Sequence, residues 1–175
     1  MEIINVRSKM EEKDLKNYLL FDKYYGSSHF VMLRVIISLV VGAFAGYYSQ
    51  QHVVTFLLIT GICLAVLLYI PKAQIGFKAP QVYRRNRSGA FHQAQDFAFG
   101  ETRFGFKSES EDAFDWTNYR DLNRAVETKS LLVLEFQPKQ RAVMVKKDVP
   151  EEDLEAIRRI LTEEMREKFT VLDRL

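Results

Sequence analysis

The chain has 175 residues, 47% of them hydrophobic and 27% charged, with a formal net charge of +2 at pH 7. So small a positive surplus gives no general argument for a nucleic acid partner. A single cysteine, Cys63, excludes a disulfide framework.

Met1 to Arg7 alternates weakly, with Ile3, Ile4 and Val6 apolar, and suits a short strand added to a later domain. Ser8 and Glu11 stand at capping-box spacing, which predicts a helix start at that point. Leu15, Tyr18, Leu19 and Tyr25 fall on one face of it, and Gly26 supplies a stop. The aromatic cluster of Tyr18, Phe21, Tyr24 and Tyr25 suits a membrane interface. This first segment, 1–29, either lies on the bilayer or packs on the soluble domain. It is rich in charged residues, and no cleavage site of the small-x-small kind follows the apolar run that comes next, so that run is expected to stay as an anchor.

Two apolar segments come next, Phe30 to Tyr48 and Val53 to Ile70, joined by Ser49, Gln50, Gln51 and His52. At about 1.5 Å per residue each is long enough to cross a hydrocarbon core of roughly 30 Å. Lipid offers no partner to an open backbone, so both are expected as helices, and 30–70 reads as a two-helix transmembrane hairpin. Five Lys/Arg precede the first segment, five follow the second within 71–95, and the turn has none. That asymmetry predicts a multi-pass protein of the bacterial inner membrane with both termini cytoplasmic. Arg34, one turn inside the first segment, is expected to snorkel to the headgroups. Ser38, Gly42 and Gly46 recur every four residues, as do Gly61 and Ala65. Small residues at that spacing let two backbones approach, either closing the hairpin on itself or forming a homo-oligomer. No acid lies between Tyr24 and Gln95, so a proton relay inside the bilayer lacks its ligands.

Pro71 predicts the end of the second span. The segment 71–95 then reads as a basic juxtamembrane linker, in part helical, carrying Lys72, Lys78, Arg84, Arg85 and Arg87 without one acid. With Arg34 these are the candidate headgroup-binding cations, each contributing about 1 kcal/mol on an anionic leaflet. The run lacks aromatic stacking platforms, so no nucleic acid partner is expected.

From 96 to 175 the balance shifts to 14 Lys/Arg against 18 Asp/Glu, and the period becomes two. Phe97 and Phe99, a turn at Gly100 to Thr102, then Phe104 and Phe106 read as a hairpin with one buried aromatic face. A strand from Ala113 to Trp116 follows the acidic loop of Glu109, Glu111 and Asp112. Asn118 to Val126 is a short helix or a bent connection. Leu131 to Phe136 and Arg141 to Lys146 form a further hairpin through Gln137-Pro138-Lys139-Gln140. Asp148 and Glu151 make a D-x-x-E cap with Pro150 in the first turn, and Leu154, Ile157, Leu161, Met165 and Phe169 line one helical stripe. The fold class is therefore a membrane α-helical hairpin plus an α+β domain at 96–175, an antiparallel sheet capped by an amphipathic C-terminal helix.

The chain resembles the YcxB-like family of small bacterial membrane proteins over nearly its whole length. The resemblance runs from Met1-Glu2-Ile3-Ile4 and Met10-Glu11-Glu12-Lys13-Asp14-Leu15, through two close spans and a Trp-led segment, to Val126-Glu127-Thr128-Lys129 before the Leu131 strand. The Val-Glu-Thr-Lys stretch is its most specific part. The connection from Trp116 to Glu127 is longer than the family pattern. What the resemblance implies is a pleckstrin-homology-like half-barrel closed by a helix.

His29, His52 and His92 have no partner at metal-ligand spacing, and no nucleophile elbow, phosphate loop or dinucleotide fingerprint occurs. The carboxylate pairs Glu111–Asp112, Glu151–Glu152 and Glu163–Glu164 fall in a loop and on helix surfaces, where solvation is the default. No catalytic residue, metal or cofactor is expected. The expected function is a non-catalytic, membrane-anchored protein whose cytoplasmic β domain binds membrane lipids or a protein partner. The alternative is an immunity protein against a toxin acting on the inner membrane.

Overall fold

The structure is a computed structural model that describes residues 3–25, 28–49, 52–85, 93–137 and 140–172. The chain divides into two compact units, Met1–Asn17 with Val82–Leu175, and Tyr18–Gln81. The first is discontinuous: the N-terminal residues belong with the β-rich domain expected at 96–175.

In that unit β1 (Ile4–Ser8), β2 (Gln95–Phe99), β3 (Arg103–Ser108) and β4 (Asp115–Asn118) form an antiparallel sheet in chain order. Val6 pairs with Phe97 and Phe99 with Phe104, so the register puts the aromatic residues on one face. On the other face the Trp116 indole lies against Gly105, where an added Cβ would stand 3.0 Å from the ring. The last strand lies two residues later than the expected Ala113 to Trp116.

A second sheet has the order β7-β6-β5-β8, from β5 (Arg124–Thr128), β6 (Leu131–Gln137), β7 (Gln140–Val145) and β8 (Phe169–Leu172). The connection after β4 is a 3-10 turn at Tyr119–Asp121, with Leu122 and Asn123 leading into β5. Thr128 Oγ1 both accepts from Leu131 N and donates to Leu131 O, which closes the tight β5–β6 turn through Lys129 and Ser130. β8 runs parallel to β5. Phe169, expected on the last helical stripe, is instead in this strand. The helix α4 (Glu151–Met165) ends where Arg166 takes a φ of +48°. Leu154, Ile157, Ile160, Leu161 and Met165 are its buried stripe. Ile157 and Leu161 meet Phe97, Phe99, Phe104, Leu132 and Leu134 in one core, and Phe104 stacks on Phe136 across the two sheets at 5.8 Å.

Both expected caps are displaced, for one reason. Ser8 Oγ accepts from Val145 N at 2.9 Å and donates to Asp148, which also takes the Lys9 N–H at 3.1 Å. Ser8 and Asp148 are thus committed to each other and tie the end of β1 to the end of β7. The helix α1 (Glu12–Tyr25) is capped three residues later than expected, with Asp14 reaching back to Glu11 N at 3.1 Å. Pro150 stands at the N-cap of α4 without a side-chain cap.

The second unit contains the rest of α1, α2 (Ser28–Tyr48) and most of α3 (His52–Arg85). α3 runs through both Pro71 and Pro80 for 34 residues, about 51 Å. The expected break at Pro71 is absent, and what read as a linker is helix as far as Arg85. A proline at 71 removes the N–H that Leu67 O would accept. Arg34 Nη1 donates to that carbonyl instead, and Tyr24 Oη donates to Leu68 O at 2.6 Å. The helix continues because the Arg34 side chain replaces the missing partner. From there on Pro71, Ile75 and Ala79 are buried at four-residue spacing, an amphipathic stripe.

Candidate functional site

The candidate residues of the helix pair fall into two groups. Gly42 and Gly46 are buried where α2 meets α3. An added Cβ at Gly42 would lie 1.8 Å from Thr60 Oγ1 and 3.1 Å from Phe56 O, and one at Gly46 would lie 2.9 Å from His52 O. Ser38 is buried on the same face, its Oγ donating to Arg34 O at 2.8 Å. Gly61 and Ala65 are exposed, and an added Cβ at Gly61 meets nothing within 4 Å. The pair therefore closes through one helix's small residues against Thr60 and Phe56, with the second small-residue stripe turned outward. Arg34 is half-buried, and its Nη1 donates to the Leu67 carbonyl.

Lys72, Lys78, Arg84 and Arg85 are all exposed on α3. Lys78 and Arg85, seven residues apart, share a helix face, and Lys72 and Arg84 lie on others. The cations form a charged sleeve, not a convergent pocket. Arg87 and His92, and the side chain of His29, lie outside the described residues.

Convergence occurs elsewhere, inside the β-rich unit. Glu127 on β5 is 1% exposed, and its carboxylate accepts from Arg158 Nε and Nη2 at 2.8–3.0 Å and from Lys146 Nζ. Lys146 Nζ also donates to Thr128 O at 3.0 Å, and Arg158 Nη1 to Glu151 at 3.2 Å. Burial pushes the Glu127 carboxyl up, but the hydrogen bonds from Arg158 and Lys146 and their charges outweigh it and hold it below the ordinary range. The same bonds with Glu127 push the Arg158 guanidinium up.

Above this cluster opens a cavity of about 730 Å³, lined by α1, the β5–β6 turn, the residues after β7 and the first turns of α4. Lys147 bridges Glu11 at 2.7 Å and Asp14 at 3.3 Å, and the hydrogen bond with Glu11 raises the Lys147 pKa and lowers that of Glu11. Asn17 Nδ2 donates to Ser130 Oγ at 3.0 Å and so joins α1 to the β5–β6 turn. Sequence reasoning assigned no site here. A signal was present: one acid within the strand Arg124-Ala125-Val126-Glu127-Thr128 requires a buried counter-charge.

No family model, curated protein or solved structure matches the chain.

Proposed function

We propose that this chain is a non-catalytic, membrane-anchored binding module of the YcxB-like kind. In this reading α2 and α3 cross the inner membrane as a hairpin, both termini are cytoplasmic, and the β-rich unit binds its partner or lipid headgroups at the inner face. One observation carries it: two helices are long and apolar enough to cross a membrane, and only 17% of the apolar window of α2, and 0% of that of α3, is buried. A soluble monomer rarely exposes contiguous apolar surface of that extent. The 15 residues of α3 from 71 to 85, about 22 Å of helix, then leave the bilayer core, and Lys72 and Lys78 stand nearest the anionic headgroups.

The sheet order supports a pleckstrin-homology-like half-barrel: a four-stranded meander, then a three-stranded one, then an amphipathic helix in their core. The helix pair enters as an insertion between β1 and β2. The parallel strand β8 is an addition to that plan.

Membranes from cells making the full chain test the anchoring. After an alkaline carbonate wash the protein is expected wholly in the pellet and released only by detergent. Recovery of the full chain in the wash supernatant would refute the anchoring.

A further inference from the structure

The cavity over Glu127 holds an unbalanced set of charges. Three of its cations are committed: Lys146 and Arg158 to Glu127, and Lys147 to Glu11 and Asp14. Glu151 is likewise held by Arg158. Two more lysines line the cavity, Lys13 on α1 and Lys129 on the β5–β6 turn, and neither has a carboxylate partner among the described residues. Lys13 stands four residues before Asn17, hence on the same helix face, and the Asn17–Ser130 hydrogen bond sets that face beside Lys129. Two elements thus bring two exposed ammonium groups, without an ion-pair partner among the described residues, to one concavity of about 730 Å³, within the size range of small-ligand sites. With Glu127 counted, five cations meet four carboxylates, Lys147 and Arg158 each serving two of them, so the cavity keeps one positive charge in excess to attract an anion.

We infer that this cavity binds a phosphate-bearing ligand, with Lys13 and Lys129 as the two ammonium groups that hold the phosphate. A phosphate monoester brings up to two negative charges and three acceptor oxygens, which matches two lysines better than one carboxylate does. Lys147 and Arg158 have a structural part, each bridging two carboxylates. The phosphate belongs either to a lipid headgroup or to a soluble phosphate ester, a single chemistry from two sources. The inference deepens the proposed function by naming what the β-rich unit binds, and it rests on that reading only for the lipid source.

The test uses the full chain in nanodiscs of phosphatidylcholine, titrated calorimetrically with glycerol 3-phosphate and inorganic phosphate. In parallel, native mass spectrometry in detergent reads retention of phosphatidic acid against phosphatidylcholine. Lys13→Ala with Lys129→Ala should weaken binding about tenfold or more, while Lys16→Ala, an exposed lysine outside the cavity, leaves it unchanged. Lys13→Arg with Lys129→Arg retains the charge and should retain binding, which separates loss of a ligand contact from loss of fold. Binding of the soluble esters that the double alanine variant loses supports a soluble source. Selective retention of phosphatidic acid, lost in the same variant, supports a headgroup. Binding of neither, or equal binding by wild type and double alanine variant, overturns the assignment. Carbonate extraction of the same variants reads the anchoring independently.

Discussion

Glu127→Ala is expected to cost about 3 kcal/mol of stability, read as a fall in the denaturation midpoint of the full chain in detergent. The carboxylate is almost fully buried and neutralises Lys146 and Arg158 together. Removing it leaves two cations facing one another on the edge of the core. The loss should stand at the low end for a buried pair, because the Lys146 and Arg158 side chains are 14% and 35% exposed and regain some water. Replacing the three together by Leu, Met and Leu should recover most of the loss, since a well-packed apolar group often matches a buried ion cluster. A Glu127→Ala protein as stable as wild type would mean that the triad contributes nothing.

The pH dependence has a definite sign. The folded-state pKa of Glu127 is lowered from an unperturbed value of 4.5. Its contribution is therefore fully present above the unperturbed value and is lost as the pH falls from there through the folded-state pKa. Acid denaturation of wild type should begin below about pH 4.5, and Glu127→Gln should show a weaker dependence over that window.

Gly42→Leu is expected to destabilise the helix pair by about 2–3 kcal/mol, while Gly61→Leu is expected to be near neutral. At Gly42 the obstacles are Thr60 Oγ1 at 1.8 Å and the Phe56 carbonyl at 3.1 Å, and the second is backbone that no rotamer change removes. α2 and α3 must separate, which forfeits dispersion contacts over the whole seam. At Gly61 nothing stands within 4 Å. Unfolding in mixed micelles reads the difference directly. Equal destabilisation by both substitutions would contradict the assignment of the seam to Gly42 and Gly46.

The contrast between these glycines shows what was legible in the chain. Four-residue spacing of small residues marks both helices, yet spacing alone does not tell which stripe meets a neighbour. The hydrophobic runs and the aromatic alternation around Phe97–Phe106 are local signals, and the helices and the first sheet follow from them. β5 went unread although it forms a tight hairpin with β6, because Glu127 interrupts its apolar pattern; β8 went unread because it is short and pairs only with a distant segment, Phe169 lying opposite Ala125. The caps misled for the same reason, since Ser8 found its partner at Asp148, far along the chain. Pro71 reads locally as a helix stop. It is overridden because Arg34, 33 residues away, supplies the donor that the proline lacks. Glu127 carried a legible warning, an acid within an apolar strand, but its partners Lys146 and Arg158 come from elements that only the fold brings together.

Labelling of single cysteines in intact bacterial cells tests the anchored topology most directly. In a Cys63→Ser background, His52→Cys marks the turn between α2 and α3, and Glu163→Cys marks the exposed side of α4. A membrane-impermeant maleimide is expected to modify residue 52 in whole cells and residue 163 only after the cells are opened. Modification of residue 163 from outside intact cells would contradict a β-rich unit held at the cytoplasmic face.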